Sequence, residues 1–383
     1  MQAFYNAEFS KFPKPVADTL RKAIYYTNIK ADPELALKYY KRAMQQCAEV
    51  GLDPFSDEVL GIRIQVSFWL EKIGSYQAAV DVLEAILADC RKWVDVMEQS
   101  VKEGKVNEAG LYKGSTVSPG GEDAAKNSQS AKGSGNSDTS EQNSERETLW
   151  RKRERLLAKA VGTSVKLGEL YADEHVLKRD ISQKHLVWAV ETALKEFRRR
   201  KLDGTNPGEQ HWLSAEELGG SMESLGRDYE RRSQFDLAVP LFFQALRLCN
   251  DPCHRTIIMN NLAAAFAQYP LDTSAQAMPS EELRGLYNAD IPTTRAGCLE
   301  AAENWAKNAY SHAKDVQGGE RTTECDEGCA VALYNWGEVA VMMGRKDLAR
   351  RKYTQCLDMS NKLAYGPGID QSRARLAQLE REM

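Results

Sequence analysis

Residues 221–250 read SMESLGRDYERRSQFDLAVPLFFQALRLCN, and their spacing decides the fold. Leu225, Gly226 and Tyr229 fall on one face of a first helix, and Ala238, Phe242 and Ala245 on one face of a second, with residues 231–235 as the turn. Two antiparallel helices approach closely only where side chains are short. Gly226 and Ala238 therefore permit the approach, and Phe242 fills the gap it leaves. Such a hairpin cannot bury its apolar face alone and must stack on copies of itself, so the rest of the chain is expected to contain them.

This pattern of small and large residues is the code of a tetratricopeptide repeat, and its copies run along the chain. In residues 15–47, PVADTLRKAIYYTN is followed by DPELALKYYKRAMQQC, with Ala36, Tyr40 and Ala43 at the second-helix positions and Asp32-Pro33 as N-cap and first-turn proline. A second copy turns at Gly74-Ser75-Tyr76, and its second helix carries Ala79, Leu83 and Ile86 before continuing through Trp93 towards Val101. Leu167-Gly168-Glu169-Leu170-Tyr171 opens a third, with Ala189 and Ala193 on its partner helix after a longer turn. The organising hairpin is the fourth. In the fifth, Met259, Leu262, Ala263 and Phe266 mark the first helix, while Ala302, Ala306 and Ala309 mark a late second one, because residues 269–298 interrupt with Pro270, Pro279 and Pro292. The sixth has Leu333, Trp336 and Gly337, a turn at residues 344–347, then Ala349, Tyr353 and Cys356.

The expected fold is all-α: a right-handed superhelical array of tetratricopeptide-like helical hairpins with a C-terminal closing helix. N-terminal repeats are expected over residues 1–103, C-terminal repeats over 147–365, and a capping helix over 366–383, with Gly366-Pro367-Gly368 stopping the last repeat. Between the two sets of repeats the composition changes. Residues 114–140, GSTVSPGGEDAAKNSQSAKGSGNSDTS, offer almost no large apolar side chain to offset ordering entropy, so 104–146 is expected to be a disordered insertion.

Charge and motifs exclude several functions. The 383 residues carry 51 Lys+Arg against 55 Asp+Glu, a net charge of −4, which gives no bulk electrostatic case for nucleic acid or anionic lipid. No run approaches the ~20 apolar residues of a membrane span, and the opening MQAFYNAEFSKFPKP has no basic-then-apolar leader pattern. No phosphate-binding loop, His-Glu-x-x-His or Gly-x-Ser-x-Gly occurs, and His175, His185, His211, His254 and His312 are scattered. A non-enzyme without cofactor is expected. His254, beside Cys253, reads as a satisfied or exposed histidine.

Stacked repeats line their concave side with first helices, so residues beside the inward apolar positions meet whatever lies in the groove. Asn261 and Asn335 hold those positions, with Arg227, Arg231 and Gln268 on neighbouring turns. Amides both donate to and accept from the backbone of an extended peptide, and the two arginines predict a preference for neutral or acidic segments. Glu223 and Val331 stand where a carboxylate clamp for chaperone tails would need basic residues, which argues against that subtype. Two cysteine pairs, Cys249/Cys253 and Cys325/Cys329, lie at or just before the starts of first helices in adjacent repeats. Buried thiols, two structural disulfides and a four-thiolate zinc site all fit that spacing.

Beyond the repeat code, LRKAIYYTN (20–28), ALKYYKRA (36–43), GLDPFSDEVLGIRIQV (51–66), LGELYAD (167–173), WAVETALKE (188–196), PLFFQALRLC (240–249), MNNLA (259–263) and ECDEGCAVALYNWGE (324–338) resemble the fungal tetratricopeptide adaptor subunits of the mitochondrial inner-membrane i-AAA protease. The resemblance implies repeats facing the intermembrane space behind a targeting sequence and a single N-terminal span. This chain starts near the first repeat, as a soluble part without its anchor would. It further implies, as partners, the protease, a second adaptor subunit and unfolded client proteins; a scaffold or assembly factor without client binding is the alternative. An oxidising intermembrane space would favour disulfides at the paired cysteines.

Overall fold

In the computed structural model, residues 9–113, 147–270 and 291–381 are described, and among them lie thirteen α-helices and no strand. None of these helices is long and apolar enough to cross a membrane. The helices form two compact units, Met1–Thr163 with Leu202–Trp212, and Ser164–Lys201 with Leu213–Met383.

The first unit holds α1 (Lys14–Asn28), α2 (Pro33–Glu49), α3 (Asp57–Lys72), α4 (Tyr76–Lys102) and the start of α5 (Leu149–Ala172). Local chemistry starts the helices, at α2 where the Asp32-Pro33 pair predicts it. Asp32 accepts a hydrogen bond from the Leu35 amide at 3.0 Å, and Ser56 caps α3 through the Val59 amide at 3.2 Å. Ala36, Tyr40 and Ala43 on α2, and Ala79, Leu83 and Ile86 on α4, are all buried, so the small-and-large code lies in the interior of both hairpins.

Residues 104–113, which the sequence assigns to the insertion, form a closed turn. Val106 and Tyr112 make an antiparallel bridge, Lys113 N donates to Lys105 O at 2.8 Å, and Leu149 N donates to Gly110 O at 2.9 Å. Gly110 has φ +76°, and a Cβ there would lie 3.1 Å from the Trp150 ring. The positive φ and that close approach together favour glycine at this turn. The rest of the expected insertion, 114–146, lies outside the described residues, as do residues 271–290 of the fifth repeat.

The second unit continues with the end of α5, then α6 (Arg179–Asp203), α7 (Ala215–Arg231), α8 (Phe235–Leu248), α9 (Pro252–Ala267), α10 (Arg295–Asp315), α11 (Thr323–Met342), α12 (Lys346–Leu363) and α13 (Gly366–Arg381). α7/α8 is the hairpin read first in the sequence. Ser214 and Glu217 form a capping box at its start, and a Cβ on Gly226 would meet the Phe242 ring at 2.8 Å. The same device recurs: a Cβ on Gly168 would lie only 2.5 Å from the Leu186 side chain, and one on Gly337 only 2.5 Å from the Tyr353 ring. Ala302, Ala306 and Ala309 on α10 are fully buried, which places the late second helix of the fifth repeat as expected.

The break between the last repeat and the closing helix lies just before Gly366-Pro367-Gly368. α12 ends at Ala364, whose left-handed φ of 54° breaks the helix, and the Gly-Pro-Gly run is the first turn of α13. Proline fits there because a first-turn N–H has no helical partner to lose. Gly368 permits the crossing, since a Cβ would lie 2.3 Å from Ser360 Oγ. α13 is then fastened by Arg375, whose Nε donates to Glu338 Oε1 on α11 at 2.7 Å.

Candidate peptide groove and the His254 cavity

In the second unit the first helices α7, α9 and α11 share one apolar core and are joined by polar contacts as well. Asn260 on α9, buried to 3% exposure, donates from Nδ2 to Gly328 O on α11 at 3.0 Å, and Asn335 on α11 donates from Nδ2 to Asn260 O at 3.3 Å. The two asparagines expected to share one role are thereby separated. Asn335 spends its amide N–H on a neighbouring helix, whereas Asn261 Nδ2 is shielded from solvent and donates to no group. A buried donor without a partner costs about 1–3 kcal/mol, and a carbonyl brought within reach would recover it.

The other expected groove residues stand at the open ends of the same helices. Arg227 is half exposed, with its guanidinium 3.7 Å from Glu223 Oε1, while Arg231 and Gln268 are exposed. Between the two arginines, burial pushes the Glu230 carboxyl up to about 7, against the pull of Arg231 and Arg227.

Sequence reading missed the most concentrated chemistry here. His254, on the first turn of α9, sits between two carboxylates: its Nε2 is 2.7 Å from Glu223 Oε2 on α7, and its Nδ1 is 2.8 Å from Glu324 Oε1 on α11. The hydrogen bond to Glu223 holds its pKa up at about 9, overcoming desolvation, with Glu324 assisting. His254 is accordingly a cation at neutral pH, satisfied as expected, and it joins three helices. Only tertiary stacking brings these residues together. A cue was nevertheless present, because His254 follows Cys253 and Glu324 precedes Cys325 in the chain.

Those two cysteines form a disulfide, with Cα atoms 4.6 Å apart and 72 residues between them in sequence. Neither two disulfides nor a four-thiolate set is formed. Cys325 and Cys329 lie one turn apart on α11, and stacking puts Cys253 of the preceding repeat directly against Cys325. Cys249, at the end of α8, and Cys329 stay reduced, and burial raises both thiol pKa values. Among the described residues, no three His, Cys, Asp or Glu side chains are grouped as ligands of a metal ion would be.

Comparison with known proteins agrees with the geometry. The tetratricopeptide repeat profile matches residues 221–256, the α7/α8 hairpin and the first turn of α9. A TPR repeat-containing protein of Schizosaccharomyces pombe is 24% identical over 375 residues, 97% of this chain and 80% of its own length. A Saccharomyces cerevisiae protein named MRG3-like is 35% identical over 91 residues, 22% of this chain and 19% of its own. Among solved structures, a circular tandem repeat protein with novel repeat topology aligns over 96% of this chain and 76% of its own at 11% identity, with a TM-score of 0.26 too low to carry weight. The chain thus has a tetratricopeptide-like homologue and a helical-repeat fold, an architecture whose usual work is binding other proteins.

Proposed function

We propose that this chain is a non-catalytic adaptor whose groove over α7, α9 and α11 holds extended or unfolded segments of client proteins. The observation that supports this most directly is the unspent N–H group of the Asn261 amide, beside Asn260 and Asn335, whose amide N–H groups are engaged. Backbone recognition by such an amide gives affinity with little side-chain preference, which suits a receptor of unfolded chains. The finer reading follows the resemblance of the quoted segments: recruitment of clients to the i-AAA protease, together with a second adaptor subunit, on the intermembrane-space side of the mitochondrial inner membrane. Tethering a client there raises its effective concentration at the protease.

The test compares binding of one model client in denatured and folded form. An adaptor prefers the denatured form, and Asn261→Ala weakens that binding about five- to tenfold, with an unchanged helical spectrum, as expected for one net hydrogen bond of about 1–1.5 kcal/mol. Equal binding of the folded and denatured client would instead indicate a scaffold. Retention of full affinity by Asn261→Ala would move client contact to another face.

A further inference from the structure

At the α-helical N-termini of this face, Glu216, Gly220, Glu223, Asp251, His254 and Glu324 surround a cavity of about 250 Å³. Four carboxylates converge on it, against His254 and the Arg227 guanidinium at its edge. Acidic residues near helix starts are ordinary, and alone they would signify only dipole compensation. Glu223 is different: it lies on the third turn of α7, is 2% exposed, and gives Oε2 to His254 while Oε1 accepts no hydrogen bond. A buried carboxylate oxygen without a donor is costly, and a donor carrying positive charge relieves both the missing hydrogen bond and the excess of negative charge. Glu216 adds an exposed carboxylate at the rim.

We propose that this cavity anchors one primary ammonium group of a client, a lysine side chain or a free amino terminus. An ammonium projects three donors in three directions, which suits carboxylates arriving from α7 and α11. The anchor rests on the groove reading and modifies it. Arg231, at the C-terminal end of α7, favours neutral or acidic segments, so a client would lie with its cation at the helix N-termini and its acidic part over Arg231. Gly220 keeps the cavity open, since a Cβ there would meet no atom within 4 Å.

The experiment uses the full chain and N-acetylated Gly/Ser/Ala peptides carrying one central lysine or one acetyl-lysine, with a lysine-free peptide bearing a free amino terminus as the third arm. Fluorescence anisotropy should show about tenfold tighter binding for an ammonium-bearing peptide than for the acetyl-lysine one, a difference abolished in Gly220→Leu and reduced in the double variant Glu216→Gln, Glu324→Gln. Which of the two ammonium peptides gains identifies the source. Separately, n-butylammonium should shift the imidazole resonance of His254, assigned by its loss in His254→Gln. Equal affinities with an unmoved resonance overturn the proposal, as does a lysine preference that survives Gly220→Leu. Binding of denatured clients without ammonium preference leaves the groove intact and removes only the anchor. A butylammonium shift without any client binding keeps the anchor and removes the groove.

Discussion

Gly226 shows how one residue fixes a helix-helix distance. With a Cβ predicted to lie 2.8 Å from the Phe242 ring, Gly226→Leu must push α7 and α8 apart, at a cost of about 1–3 kcal/mol. Urea denaturation measures it, and Phe242→Leu in the same chain should recover part of the loss because the smaller partner reopens the space. An unchanged midpoint in Gly226→Leu would mean the two residues do not meet. His254 makes a second residue-scale prediction. Its pKa rises from 6.5 to about 9, so its stabilising contribution is complete below about pH 6.5 and is lost as pH climbs through 9. The groups facing it are Glu223 from α7 and Glu324 from α11. With 37% of its side chain exposed, solvent screening reduces the expected contribution to about 1 kcal/mol. Stability measured from pH 6 to 9.5 should fall in the wild type relative to His254→Gln, and parallel curves would remove the bridge from the energetics.

Among elements, the hairpins were legible and the links between them were not. Each second helix announces itself by alanines at the buried positions, as at Ala36, Ala79, Ala238, Ala302 and Ala349, because the periodicity that buries them is local to one helix. The Cys253–Cys325 bond, the Asn335 brace and the two carboxylates on His254 depend on which repeat lies beside which, at separations no local period encodes. Cysteine spacing left buried thiols, two disulfides and a zinc site open, whereas stacking selected one cysteine from each pair. The bond fastens the starts of α9 and α11. Closing a 72-residue loop, it should contribute up to about 4 kcal/mol by restricting the unfolded chain. Dithiothreitol should lower the urea midpoint of the wild type and leave the double variant Cys253→Ala, Cys325→Ala unmoved. A wild-type midpoint indifferent to reductant would show that the two thiols are not joined in solution.

At the scale of the whole molecule, the neck at Gly110 has a further meaning. The backbone leaves the described structure after Lys113 and re-enters at Glu147, yet Gly110 O and Leu149 N are already hydrogen-bonded at 2.9 Å, and Arg153 on α5 pairs with Glu98 on α4 at 2.7 Å. Both of these contacts lie outside the intervening 33 residues, 114–146. Replacing them with a short Gly/Ser linker should barely change stability, since closure entropy varies slowly with loop length. A loss of several kcal/mol would mean that the segment packs on the repeats. If those contacts suffice, the covalent chain should be dispensable at that point. A protease cut within 114–146 should yield two polypeptides that still migrate as one particle under native conditions, and the ends so created could serve as new termini for a rearranged gene, or as a port where a foreign domain is spliced in without disturbing the helices beneath it.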